Sequence, residues 1–174
     1  MKPLLISVAI STVVLVGACT THPLLNTVQS VDFERYYGAW YEIVRLPNRF
    51  QKMCVSDTQA TYQPDGKHVT VLNQCRTADG TVEQAKGIAK AVKGSGGAKL
   101  RVSFFRPFYG DYWILALDPD YRWVLIGEPG RGYAWVLARQ PELDAVTLEV
   151  LLSRAEALGF NRQAFVKTAH RQNN

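Results

Sequence analysis

Tyr112-Trp113-Ile114-Leu115-Ala116-Leu117-Asp118, a Pro119-Asp120 turn, then Trp123-Val124-Leu125-Ile126-Gly127 form two β-like runs separated by turn residues. The pattern continues in both directions. Upstream lie Trp40–Arg45, Thr58–Tyr62, His68–Gln74, Thr81–Val92 and Lys99–Phe104; downstream lies Ala134–Ala138. Pro64-Asp65-Gly66, Ala78-Asp79-Gly80, Gly94-Ser95-Gly96-Gly97 and Pro129-Gly130 punctuate the series. Eight strands at regular spacing predict an all-β domain, either a sandwich or an antiparallel up-and-down β-barrel. The pattern then changes. Asp144 can cap a helix reaching Leu158, with Gly159 as its stop. Leu148, Leu151, Leu152, Ala155 and Leu158 make one apolar stripe that must pack on the outside of the sheet. Phe165-Val166-Lys167-Thr168 reads as a short ninth strand.

The N-terminus carries a different signal. Lys2, an apolar run from Leu4 to Val16, and Val16-Gly17-Ala18-Cys19 resemble a bacterial lipoprotein signal peptide ending in a lipobox. The run is shorter than the ~20 residues that span a bilayer. The expected organisation is a signal peptide at 1–18, a lipidated linker at 19–32 and one domain at 33–174. Cys19 would carry the acyl chains, and two or more chains anchor a protein firmly. Thr20, where Asp would signal inner-membrane retention, suggests the outer membrane, facing the periplasm. Export to an oxidising compartment predicts a disulfide between Cys54 and Cys75, which flank the Pro64–Lys67 turn at similar distances. A metal site has no support: there is no CxxC, and His22, His68 and His170 are isolated. The formal charge of +5 is scattered without a basic block, so nucleic acid is not an expected partner.

Phe33, Gly38-Ala39-Trp40-Tyr41-Glu42-Ile43, Gly110-Asp111-Tyr112 and Ala134-Trp135-Val136-Leu137-Ala138-Arg139 resemble, in order and spacing, the three signatures of the lipocalins. Leu72-Asn73-Gln74 and the stretch Lys99–Gly110 bring the chain nearest the branch that holds apolipoprotein D and the bacterial outer-membrane lipoproteins. The resemblance implies an eight-stranded barrel with an outer C-terminal helix and a lumen that can hold one small ligand. It implies that Gly38, Trp40 and Arg139 are structural, the guanidinium lying across the indole near the closed end. By the same resemblance Tyr62, Phe104, Tyr112 and Trp135 point into the lumen. Alternation then adds Thr58, Ala60, Val71, Asn73, Gly87, Ala89, Ala91, Leu100, Val102, Ile114, Ala116, Tyr133 and Leu137. Aromatic rings with hydroxyls beside Gly and Ala suit an apolar pocket with a few polar handles.

The implied function is binding, storage or transport of a small hydrophobic ligand, a fatty acid or lysophospholipid, in envelope maintenance under stress. No cofactor and no enzymatic activity are expected. Arg101 and Arg106 are candidates to hold a polar head. Two alternatives remain at this point. One is a lipocalin-fold enzyme using Cys75 as a lumen thiol, which requires it to be unpaired; no Gly-x-Ser-x-Gly elbow or phosphate loop is present. The other is a structural lipoprotein docking, or forming a homodimer, through outward-facing Trp113 and Trp123.

Overall fold

The computed structural model describes residues 22–171; the expected signal peptide and Cys19 lie outside the described residues. One sheet contains β1 (Gly38–Arg45), β2 (Ser56–Asp65), β3 (His68–Arg76), β4 (Val82–Ala91), β5 (Lys99–Phe105), β6 (Phe108–Leu117), β7 (Trp123–Gly127), β8 (Ala134–Ala138) and β9 (Val166–Lys167). Each of β2 to β7 pairs with the next, and β1 pairs with both β8 and β2, which closes the barrel. Closure removes the open edges that would invite aggregation. β9 pairs with the last two residues of β1, beyond the stretch of β1 that pairs with β2.

Up-and-down connectivity sends alternate loops to opposite ends. Residues 46–55, 77–81, 106–107 and 128–133 surround the mouth. Residues 66–67, 92–98 and 118–122 lie at the floor, where α1 (Phe33–Tyr36) packs under the strands.

Strand alternation divides the apolar side chains into two cores. The inner one holds Tyr36, Trp40, Tyr62, Val71, Leu100, Ile114, Val124, Ile126 and Leu137. The outer one holds Ile43, Leu115, Leu125 and Val136 together with Leu151 and Ala155 of α2 (Ala145–Ala157). The helix therefore covers the outer wall as its stripe requires. Asp144 caps it by accepting the Thr147 N–H at 2.8 Å. At the other end Gly159 adopts φ +89°, while the N–H groups of Gly159 and Phe160 bond back to Glu156 and Ala155. Trp113 and Trp123 are partly buried against this outer core, so they do not form the exposed patch that a docking surface would need.

One inward assignment is corrected. Ala116 belongs to the outer core, and Leu117 replaces it inside. A β-bulge between Ile114 and Ala116 inserts one extra residue against β7 and reverses the alternation beyond it.

Residues 22–32, part of the expected linker, lie along the barrel. Leu25 is buried in the outer core, and Val31 packs in the inner one. The Val28 N–H donates to the Ile114 carbonyl at 3.0 Å, and the Val31 N–H to the Gly96 carbonyl at 2.9 Å. Among the described residues no helix is long and apolar enough to cross a membrane.

Candidate functional site

The floor of the barrel is sealed. Arg139 lies 3.9 Å from the centre of the Trp40 ring, and its guanidinium donates to the carbonyls of Ala39, Arg35 and Tyr121. The Trp40 indole N–H donates to the Tyr36 carbonyl at 2.8 Å. Gly38 has φ +93°, and a Cβ there would sit 3.5 Å from the Arg139 guanidinium. That left-handed backbone, which favours glycine, brings β1 across the floor.

Above this plug three tyrosines meet. The Tyr112 hydroxyl lies 2.8 Å from both the Tyr36 and the Tyr62 hydroxyls. Burial pushes the Tyr62 hydroxyl up to about 12 and raises those of Tyr36 and Tyr112 well above the usual tyrosine value. All three stay protonated at neutral pH. Two contacts use two of their three protons, which leaves one hydroxyl proton to donate elsewhere. Tyr112 is the member that retains access to the lumen: Tyr36 and Tyr62 are buried, whereas Tyr112 is only partly so.

The mouth half is lined differently. Inward positions Asn73, Gly87, Val102 and Trp135 are partly exposed, and Ala85 is exposed. The inward positions of β4 at this end, Ala85 and Gly87, are small and keep exposure to solvent, where the floor half is buried. Facing them is an aromatic ladder. Tyr133 stacks on Trp135 with centroids 6.1 Å apart, and Phe50 from the 46–55 loop lies 6.0 Å from Tyr133. Phe104 lies against Gly87, where an added Cβ would come within 2.7 Å of its ring. The glycine makes room for that ring at the rim.

A polar cluster holds the ladder in place. The Trp135 indole N–H donates to Gln51 Oε1 at 3.1 Å, and Gln51 Nε2 donates to Glu42 at 2.6 Å. Glu42 is buried and also accepts from Arg45 at 2.9 Å and from the Thr168 hydroxyl at 2.5 Å. Three donors compensate the burial of this carboxylate. Sequence reading left Glu42 in the family signature and missed Gln51 and Thr168. Their partners are up to 126 residues apart, and only the docking of β9 on β1 brings them together.

Of the sequence-selected lumen residues, Tyr62, Val71, Ile114 and Tyr112 lie within the inner core or against it, and Trp135 packs on its edge. Leu100, Ala89, Leu137, Ala60 and Val102 join them. Asn73, opposite Ala60 on β2 and Ala85 on β4, stands higher towards the mouth. Tyr133 and Phe104 are rim residues, and Ala91, past the β3 pairing, is exposed. Arg101 pairs with Asp111 at 3.6 Å on the outer face, so it does not serve the lumen. Arg106 is exposed at the tip of the β5–β6 hairpin. Cys54 and Cys75 form a disulfide with Cα atoms 5.5 Å apart, which ties the 46–55 loop to the end of β3. The pairing leaves Cys75 without the free thiol that a lumen nucleophile requires. One shallow hollow of about 220 Å³ opens where Gly87 and Phe104 meet Lys86, Ile88 and Arg106, and another of about 370 Å³ lies on the outer wall beside Arg122, Trp123 and Asp144. Among the described residues no three His, Cys, Asp or Glu side chains cluster as a metal site.

The family described as "Lipocalin-like domain" matches residues 31–170, nearly the whole described chain. The chain is a lipocalin. Temperature-induced lipocalin-1 of Arabidopsis thaliana is 39% identical over 154 residues, covering 83% of this chain and 82% of its own. Outer membrane lipoprotein Blc of Escherichia coli (strain K12) is 36% identical, covering 87% and 88%. Apolipoprotein D of Macaca fascicularis is 38% identical, covering 78% and 73%. Among solved structures, insecticyanin of the tobacco hornworm Manduca sexta superposes with a TM-score of 0.69 at 23% identity, covering 86% of each chain. At that identity the likeness speaks for the lipocalin fold alone.

Proposed function

We propose that this lipocalin binds one amphipathic lipid with a single acyl tail, a fatty acid or lysophospholipid, at the outer membrane. The observation that carries the reading is the uneven filling of the barrel. Large rings seal the floor half, while the mouth half is lined by Ala85, Gly87, Val102 and Trp135 and keeps access to solvent. A tail entering there loses water at about 0.8 kcal/mol per buried CH₂. The spare hydroxyl proton of the tyrosine trio can meet a polar atom that reaches the bottom of the opening, and Arg106 stands at the rim for a head group. The relatives named as outer membrane lipoproteins support the location, with Cys19 as the acylated residue and the domain facing the periplasm. The function is binding and carriage, in support of the envelope under stress, and not catalysis.

Titration with a fluorescent fatty acid tests this, read through the emission of the fatty-acid probe itself. Saturable one-to-one binding is expected, weakened about tenfold or more by Trp135→Ala through loss of its apolar contact area. Absence of saturable binding to the parent protein refutes it.

A further inference from the structure

Among the described residues, seven of the twelve exposed large apolar side chains, including every exposed Phe and Met, lie at one end; the others are Leu24, Val92, Val146, Val150 and Val166. Phe50, Met53 and Val55 project from the 46–55 loop, Val82 from the start of β4, and Phe104, Phe105 and Phe108 from the β5–β6 hairpin. Phe105 and Phe108 are 76% and 71% exposed, and their rings stack 6.2 Å apart across the hairpin tip. All seven ring the mouth. Exposed Arg49, Lys52 and Arg106 sit among them; the acidic groups at this end include exposed Asp79 and Glu83, partly buried Glu128, and Asp57, which pairs with Arg76 and Arg171. Aromatic side chains interleaved with cations suit an interface where rings enter the acyl boundary and cations meet phosphate.

The path of the N-terminal segment points to the same end. The Arg131 guanidinium, in the mouth loop 128–133, donates to the carbonyls of Pro23 and Leu158. His22 lies against Gly159, just past the mouth-directed end of α2. From there the chain descends the outer wall to Val31 at the floor. Cys19 is three residues before His22. Three residues span at most about 11 Å. An acyl group on Cys19 is therefore tethered near the rim and not near the floor.

We propose that the lipocalin sits mouth-down on the bilayer, with the Phe105–Phe108 hairpin tip inserted at the headgroup level and its opening against the lipid surface. This rests on the reading of Cys19 as the acylated residue. A single-tailed lipid could then pass between leaflet and lumen without its tail crossing water. The orientation follows from two independent features, the rim and the tether, and both bring the same end to the membrane.

The test uses the full lipidated protein in vesicles of phosphatidylethanolamine and phosphatidylglycerol, with acylation confirmed by mass. An environment-sensitive fluorophore is attached at Phe108→Cys, at the mouth, or at Lys67→Cys, at the floor. The expected result is a blue-shifted emission quenched by nitroxide-labelled lipid at position 108, and an aqueous emission without quenching at position 67. A fluorophore at Arg106→Cys should lose most of its quenching when Phe105→Ser and Phe108→Ser are added. Equal aqueous emission at 108 and 67, quenching at 67, or a protein without acyl chains overturns the proposal. Fatty-acid titration of the same samples reports lumen binding separately, so a wrong orientation and a wrong ligand class give different outcomes.

Discussion

Replacing Tyr112 with phenylalanine should cost the barrel far more than replacing either tyrosine it touches. The Tyr112 hydroxyl is the shared partner of Tyr36 and Tyr62, at 2.8 Å from each. Tyr36 is 0% and Tyr62 2% exposed, so water does not replace a lost bond at either. Tyr112→Phe orphans two buried hydroxyls at about 1–3 kcal/mol each, roughly 2–6 kcal/mol in all. Tyr36→Phe or Tyr62→Phe leaves Tyr112 with one partner, and should cost about 0.5–1.5 kcal/mol. For a domain of this size, Tyr112→Phe should lower Tm by roughly 4–24 °C. Urea unfolding measures the difference through a change in midpoint at unchanged slope. A triple phenylalanine variant at positions 36, 62 and 112 sharpens the test. It removes the orphans along with their partner and should be more stable than Tyr112→Phe alone, since replacing all members of a polar cluster by apolar groups is less costly than leaving some unpaired. Equal losses for Tyr112→Phe and Tyr36→Phe, or a triple variant weaker than the single one, would refute the reasoning.

The same trio predicts alkaline behaviour. The raised hydroxyl of Tyr62 contributes stability that is complete below the unfolded value near 10 and is lost as pH climbs through about 12, on the order of 2–3 kcal/mol. Phenolate absorbance should therefore show the trio ionising only as the protein unfolds at high pH. At the mouth, Cys54→Ser with Cys75→Ser opens a loop closed across 21 residues, which should cost about 3 kcal/mol by denaturant unfolding, while the same chain under reducing conditions should match it. At the floor, Gly38→Ala forces a side chain onto φ +93° and should destabilise by about 1–3 kcal/mol, with the far-ultraviolet spectrum of the folded state unchanged.

The eight strands and the outer helix were legible because their information is local, while the choice of barrel over sandwich came from the resemblance to the lipocalins. Runs of strand length, turn residues between them and the 3.6-residue stripe of α2 each depend on neighbours in the chain. The disulfide was legible too, since its two cysteines flank one hairpin. Ala116 shows where local reading ends. Alternation assigns it inward, but the bulge at Leu115 is a property of how β6 pairs with β7, and no residue in the run announces the extra step. Arg101 shows the same limit for charge: its place in the sequence leaves surface solvation and a head-group role both open, and its strand face sends it to Asp111 outside.

The amino-acid order alone thus determined an eight-stranded domain with an outer helix, its disulfide and the aromatic side chains given to the interior. Strands, helix and disulfide follow from periodicity and spacing, which survive without a third dimension; the inward aromatic side chains follow from the resemblance to the lipocalins. Tertiary structure decided which half of the barrel is plugged, how Glu42, Gln51 and Thr168 hold Trp135, and that the N-terminal segment starts beside the mouth. Each of these depends on groups distant in the chain arriving at one place, and only closure of the sheet sets those distances.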